Sequence, residues 1–207
     1  MKKVVVVSTS FGKDSTCMIH GMLRRGEQID YLMYFETGWD FPQMENHIKK
    51  VEKNTGLKTI RLRNYLSFDF WLQRNGWPHP SGGWCTATKR DTCNKFCRLT
   101  KCTTECIGFT TNEVKRTLGK SLVKKKWNVR FPLIEWGFSE ANCLQYCYDL
   151  GYDWDGLYEH FNRVSCFCCP KAGPKRREVI KKYYPKLWIE WERLDGLAAY
   201  RAEEGTE

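Results

Sequence analysis

Four consecutive valines, Val4–Val7, followed by Ser8-Thr9-Ser10-Phe11-Gly12-Lys13-Asp14-Ser15, constrain this chain more than any other stretch. An apolar run with no helical period suits a strand buried on both faces, as in a parallel sheet. The residues from Ser15 to Leu23 read as a helix that closes at Gly26. A strand, a small-residue loop and a helix N-terminus together form an anion-binding device. The loop N–H groups point inward and the helix dipole favours negative charge. Gly12 lets backbone approach a phosphate closely, Ser10 and Ser15 offer hydroxyls, and Lys13 supplies a cation. The spacing is not the Walker-A pattern, which needs two glycines ahead of Lys-Ser/Thr. Asp14 also suits a helix start on its own account.

Strands are predicted at Lys3–Ser8, Ile29–Phe35, Lys58–Leu62, Glu105–Phe109 and Val129–Leu133, with helices near Ser15–Arg25 and Phe41–Thr55 between the first three. That alternation predicts an α/β fold with a doubly wound, mostly parallel sheet. Ligands of such folds sit at the carboxyl ends of strands, here the loops after Val7, Phe35 and Phe109. The second half is less regular. Tyr65–Trp77 is rich in aromatics, Trp77–Trp84 is a Pro/Gly loop, and residues 85–106 form a cysteine-rich insert. Ser139–Leu150 reads as a helix capped by Ser139. Gly173–Tyr184 and Lys186–Arg201 read as a helical pair broken at Pro185, giving a basic helical segment over 173–203. All of this fits one domain over residues 1–207.

A hydrophobic content of 42% with 14% aromatics marks a folded chain. No stretch approaches the roughly 20 apolar residues of a membrane span. The first apolar run stops at Ser8, short of the about 7–15 residues of a secretory signal core, so a cytoplasmic location is expected. In that compartment eleven cysteines read as thiols, metal ligands or redox groups rather than disulfides. The net charge of +10 calls for an anionic partner, and a nucleotide and a nucleic acid both qualify. Basic residues cluster at Lys120–Arg130 and at Lys171–Lys186, each as consistent with a solvated face as with nucleic-acid contact. Trp188 and Trp191 beside the second cluster suit helix packing first and base stacking second. Of the four histidines only His79, near Cys85, stands by a candidate metal site.

Ser10–Ser15 resembles the SGGKDS-like pyrophosphate loop of the adenine-nucleotide alpha-hydrolase (PP-loop ATP pyrophosphatase) superfamily, with Phe11 where glycine is common. Phe35-Glu36-Thr37-Gly38 with Phe41-Pro42-Gln43 resembles a strand-end element of the phosphoadenosine-phosphosulfate reductase family, with Glu36 in place of Asp. Trp84-Cys85-Thr86 with Lys89, Ile107-Gly108 through Glu113 to Arg116, Phe131-Pro132-Leu133 to Trp136, and Cys166-Phe167-Cys168-Cys169-Pro170 match further elements in the family's order. The resemblance runs from Val4 to Lys171, and order makes it stronger than any single motif.

The resemblance implies attack at the alpha-phosphate of ATP with release of pyrophosphate, activating a substrate for sulfur transfer. It assigns catalytic roles to Lys13, Asp14 and Arg116, with Asp14 holding Mg²⁺. It assigns nucleotide contacts to Ser10, Phe11, Gly12, Lys13, Asp14, Ser15, Thr37, Gly38, Lys89 and Glu113. Phosphoadenosine-phosphosulfate reductases carry a late Glu-Cys-Gly-x-His nucleophile, whereas no cysteine follows Cys169 here. That turns the expectation toward relatives that thiolate tRNA or modify DNA, with a sulfur-donor protein as a further partner. The alternatives are a sulfonucleotide reductase that takes PAPS or APS, and a non-enzymatic, zinc-stabilised nucleic-acid-binding module. Cys166 and Cys169 form a chelating pair, Cys85 is a third candidate ligand, and the fourth comes from Cys93, Cys97, Cys102 or Cys106, Cys93 first among them. Four thiolates suit a [4Fe–4S] cluster or zinc. Cys17, Cys143 and Cys147 read as buried apolar residues.

Overall fold

The computed structural model describes residues 3–79, 83–119, 122 and 124–204, the last four of these by backbone alone. Residues 80–82 of the Pro/Gly loop and Lys120 of the first basic cluster lie outside the described residues. Strands β1 (Val5–Thr9), β2 (Tyr31–Phe35), β3 (Thr59–Leu62), β4 (Thr104–Ile107) and β5 (Asn128–Arg130) form one parallel sheet in the order β3-β2-β1-β4-β5. The last strand stops at Arg130, short of the expected Leu133. Pro132, which has no N–H for a ladder, instead opens the short helix α5 (Pro132–Glu135).

Helices cover both faces of the sheet. On one side lie α1 (Lys13–Arg24), α2 (Gln43–Thr55) and α6 (Glu140–Asp149). On the other lies α4 (Trp84–Leu99), so the expected insert over 85–106 is a crossover helix followed by β4. The valine run divides between these layers. Val5 and Val7 enter the main core, while Val6 packs with Met33, Cys97 and Cys102 beneath α4. Val6 and Val7 are fully buried, each worth roughly 1.5–3 kcal/mol of transfer free energy.

α6 starts in a capping box, with the Asn142 N–H donating to Ser139 Oγ (3.2 Å) and the Ser139 N–H to Asn142 Oδ1 (3.0 Å). The cap aims Glu140 toward α1. The chain then passes through a short helix, α7 (Leu157–His160), to an irregular strap over 161–172. It ends in α8 (Lys175–Tyr183) and α9 (Pro185–Glu204), which meet at Pro185, while α3 (Phe68–Asn75) packs against α9.

Two basic residues are taken up by the fold itself. The Lys125 ammonium is paired with buried Glu105, which also accepts from Ser8 Oγ (2.9 Å) and Trp127 Nε1 (2.7 Å). Buried Arg176 donates to the carbonyls of Arg163 (2.7 Å) and Cys166 (2.9 Å), pinning the strap. Among the described residues, no helix is long and apolar enough to cross a membrane.

Candidate nucleotide-binding site

The sheet order places a topological switch between β1 and β4, where neighbouring crossovers leave in opposite directions and a crevice opens at the carboxyl ends of the strands. Ser8–Ser15 forms one side of it and Ile107–Phe109 the other. The two sides touch. A Cβ on Gly108, just after β4, would lie 3.3 Å from Ser15 Cα, so any side chain there would push on the start of α1. The cleft between them holds about 400 Å³.

Phe11 explains the shape of the loop. Its φ is +54°, in the left-handed region that a bulky residue adopts only when its surroundings enforce it. Here the ring is fully buried, edge-on to Tyr34 (5.5 Å) and His47 (6.5 Å). Its N–H donates to Thr9 Oγ1 (2.9 Å), and its carbonyl accepts from Trp154 Nε1 (2.8 Å) and Thr16 Oγ1 (3.3 Å). Phe11 therefore shapes the loop from behind and does not line the cleft, contrary to the expected nucleotide contact. His47 stacks on Trp154 at 4.5 Å, and burial lowers its pKa to about 3, so a neutral imidazole backs the loop.

Lys13 caps the cleft floor. Its ammonium donates to Glu140 (2.8 Å), Asp14 Oδ2 (3.3 Å) and the Asn162 carbonyl (3.4 Å). Burial pulls its pKa down, but the Glu140 hydrogen bond and the two carboxylates outweigh this and hold it above the usual lysine value. Asp14 is pushed up to about 6, chiefly by burial, with the Lys13 charge opposing and Glu140 and Glu113 reinforcing the rise. Its Oδ1 is buried without a hydrogen-bond partner among the described residues. The Lys13 backbone N–H donates to the Tyr158 hydroxyl (2.7 Å), so a side chain from the strap side occupies a donor at the start of α1. Arg116 pairs with Glu113 and lies over the Phe109 ring at 4.2 Å.

Ser10, Gly12, Lys13, Asp14, Ser15, Lys89, Glu113 and Arg116 thus converge on one cleft. Thr37 and Gly38 do not line it. The Thr37 hydroxyl donates to Asp40 Oδ2 (2.9 Å) and accepts from the Cys166 thiol (3.4 Å), folding that loop back on itself. Glu36 is held below the usual carboxylate range first by its Arg63 hydrogen bond and also by Arg61. Glu140, Tyr158 and Arg163 join the lining without any motif to announce them, although the Ser139-x-x-Asn142 cap marks where Glu140 begins its helix.

The cysteines scatter more widely than their spacing suggests. Cys166 and Cys169 share one turn, closed by the Cys169 N–H donating to the Cys166 carbonyl (3.2 Å). Burial pushes the Cys166 thiol up to about 12. Cys85 lies in the first turn of α4, and that turn abuts the strap through Lys171 Nζ donating to Thr86 Oγ1 (3.0 Å). Cys93 lies two turns further along, lines the nucleotide cleft, and is pushed up to about 11 by burial. Cys97 and Cys102 share a thiol hydrogen bond under the sheet, and Cys106 belongs to β4. Among the described residues no three Cys, His, Asp or Glu side chains are gathered as a metal site requires. The set Cys85, Cys93, Cys166 and Cys169 therefore does not fit a cluster or zinc as placed, since these thiols are not gathered at one point and Cys93 is spent on the wall of the cleft.

A family model described as the phosphoadenosine phosphosulfate reductase domain matches residues 4–172. Two uncharacterized proteins of Methanocaldococcus jannaschii are similar, MJ0066 at 30% identity over 94% of this chain and MJ0973 at 26% over 91%. The chain spans less than half the length of either, 42% and 47%. Among solved structures, a phosphoadenylyl-sulfate reductase from Candida auris in a phosphate complex superposes with a TM-score of 0.54 at 11% identity, covering 77% of this chain and 78% of that one. The U34-tRNA thiolase NcsA from Methanococcus maripaludis, with its [4Fe-4S] cluster, superposes with a TM-score of 0.53 at 17% identity, covering 94% of this chain and 72% of that one. Both share the fold. With a parallel sheet of matching architecture and a family match spanning most of its length, this chain belongs to the phosphoadenosine phosphosulfate reductase family.

Proposed function

We propose that this chain binds ATP in the cleft and activates an acceptor by adenylylation for sulfur transfer. The convergence of the Ser10–Ser15 loop, Lys13, Lys89 and Arg116 on one crevice at the switch point carries this reading. An oxygen of the acceptor attacks the alpha-phosphorus, the bond to the bridging oxygen breaks, and pyrophosphate leaves with the electron pair. Loop N–H groups and the Lys13 ammonium receive the charge that develops on the leaving group. Arg116, leaning on Phe109, and Lys89 face the phosphates from the opposite side. Asp14, with its unpartnered Oδ1, is the residue that would hold magnesium, which supplies charge neutralisation on phosphate oxygens when bound. The NcsA likeness supports sulfur transfer onto a nucleic acid, and the net charge of +10 is consistent with such an acceptor.

Cys93 favours a second reading, a sulfonucleotide reductase, because it puts a thiol in the same cleft one helical turn from Lys89. Titrating the protein with ATP, adenylyl sulfate and phosphoadenosine phosphosulfate separates the two. Adenylylation chemistry requires preference for ATP, together with pyrophosphate release on adding acceptor. Lys13→Ala is expected to weaken ATP binding roughly 10- to 150-fold, the worth of a charge-assisted hydrogen bond. Tight binding of a sulfonucleotide with no ATP binding overturns the first reading.

A further inference from the structure

A second cavity, of about 330 Å³, lies on the far side of the strap. Its walls include Trp77, Trp191, Cys168, Cys169, Pro170 and Arg177. The Trp77 and Trp191 rings pack against each other in that wall as a tilted pair, with centroids 6.4 Å apart at 52°. Trp191 is only 4% exposed, and its indole N–H has no hydrogen-bond partner among the described residues. The volume is at the low end for ligand pockets, enough for one flat ring system and too small for a stretch of folded chain.

The rim is basic. The Arg177 guanidinium covers Trp191 (5.1 Å) and Trp188 (5.3 Å), and its charge is shared with Asp195, which also accepts from Trp77 Nε1 (2.9 Å). Lys181, one turn along α8, lies over the same Trp188 ring at 5.3 Å. Lys175 is exposed next to Pro174, another lining residue. An apolar pocket walled by Trp77, Pro170 and Pro174, with a cationic edge, matches a flat base and its flanking phosphates.

The two cavities share a wall. Arg163, Val164 and Ser165 line the nucleotide cleft, while Cys168, Cys169 and Pro170 line the second pocket, and Arg176 pins the segment between them. We propose that this second pocket receives one unpaired base of a nucleic-acid acceptor, with the adjacent phosphates on Lys175, Arg177 and Lys181. The proposal rests on the reading above only in taking the acceptor to be a nucleic acid. It adds where that acceptor is held.

The test is fluorescence anisotropy on the full chain with labelled single-stranded RNA and DNA of about 12 nucleotides, alongside separate ATP titrations without oligonucleotide. Arg177→Glu and Lys181→Glu are expected to weaken oligonucleotide binding while leaving ATP affinity unchanged. Lys181 is exposed and its loss threatens no packing, so that variant keeps the test valid if Arg177→Glu misfolds. An oligonucleotide with abasic sites is expected to bind roughly 5- to 150-fold more weakly, the worth of one to three kcal/mol of stacking. Equal binding of abasic and intact strands, unchanged binding by both variants, or no binding by the wild type overturns the proposal. Failure to bind ATP overturns the nucleotide reading instead, and the separate titration tells the two apart.

Discussion

The loop Ser10–Ser15 and the wall that carries Tyr158, Arg163 and Ser165 face each other across one cleft, yet they are held by different means. The loop is a local product. Its strand, its glycine and its helix start lie within a dozen residues, and its backbone bonds close on near neighbours such as Thr16 N–H to Gly12 O at 3.0 Å. The strap has almost no regular structure and is held by partners outside itself: Arg176 on the next helix and, far off in the chain, the Trp39 carbonyl and the Thr37 hydroxyl, which accept from the Phe167 N–H (2.9 Å) and the Cys166 thiol (3.4 Å). A wall built locally keeps its shape when the other wall is perturbed, and a wall hung on long-range bonds can shift on its own.

The largest effect that would test this contrast belongs to Phe11, whose buried ring anchors the loop backbone in the core. Phe11→Ala is expected to lose about 3–5 kcal/mol of stability. The melting temperature should fall by roughly 2–4 °C for each kcal/mol lost. Relief of the positive φ cannot offset this, because alanine also disfavours that region. A melting temperature within a degree of wild type would show that the loop stands without its core anchor and that the locality is complete.

Asp14 gives the next largest effect and fixes its sign. Its folded pKa of about 6 lies above the ordinary carboxylate value, so the folded state binds the proton more tightly than the unfolded chain. Stability is therefore fullest below pH 4 and is lost as pH rises from about 4 to about 6. The loss is on the order of 2–3 kcal/mol. Asp14→Asn removes the titration. Chemical denaturation should find the variant more stable than wild type at pH 7 and equal to it near pH 4, and under the proposed adenylylation any pyrophosphate release from ATP should be lost. A wild-type stability that rises between pH 4 and pH 6 beyond that of the variant would mean Asp14 is stabilised in its charged form by a partner.

Legibility follows the same division. All five strands, the loop and the Ser139 cap are visible in the sequence because each rests on neighbours in the chain or on a hydrophobic period. Thr37 and Gly38 point to the nucleotide on sequence grounds because they end a strand, but Asp40 three residues on captures the Thr37 hydroxyl. Phe11 reads as a binding residue because its backbone position is right, though its side chain turns to the core. The cysteine set is not gathered at one point among the described residues, since sequence spacing does not tell how a crossover helix and a strap meet in space. Glu140 and Tyr158 reach Lys13 across 127 and 145 residues, distances at which no local pattern speaks.

The smallest effect is the most direct probe of the strap side of the cleft. The Tyr158 hydroxyl accepts from the Lys13 N–H at 2.7 Å, at the N-terminus where a phosphate oxygen would be received. A Cβ on Gly12 would lie 3.1 Å from that same oxygen, so the hydroxyl fills the approach as well as the donor. Tyr158→Phe leaves the ring packed at Trp154, 4.7 Å away, and removes only the acceptor. Stability without ligand should fall by about 1 kcal/mol, one buried hydrogen bond. Binding of inorganic pyrophosphate should strengthen, because the freed N–H no longer has to exchange a tyrosine for a phosphate. Calorimetric titration of both proteins reads the change. Weaker pyrophosphate binding in the variant would make Tyr158 part of the binding wall, donating its own hydrogen to the ligand, and both walls of the cleft would then grip the phosphate.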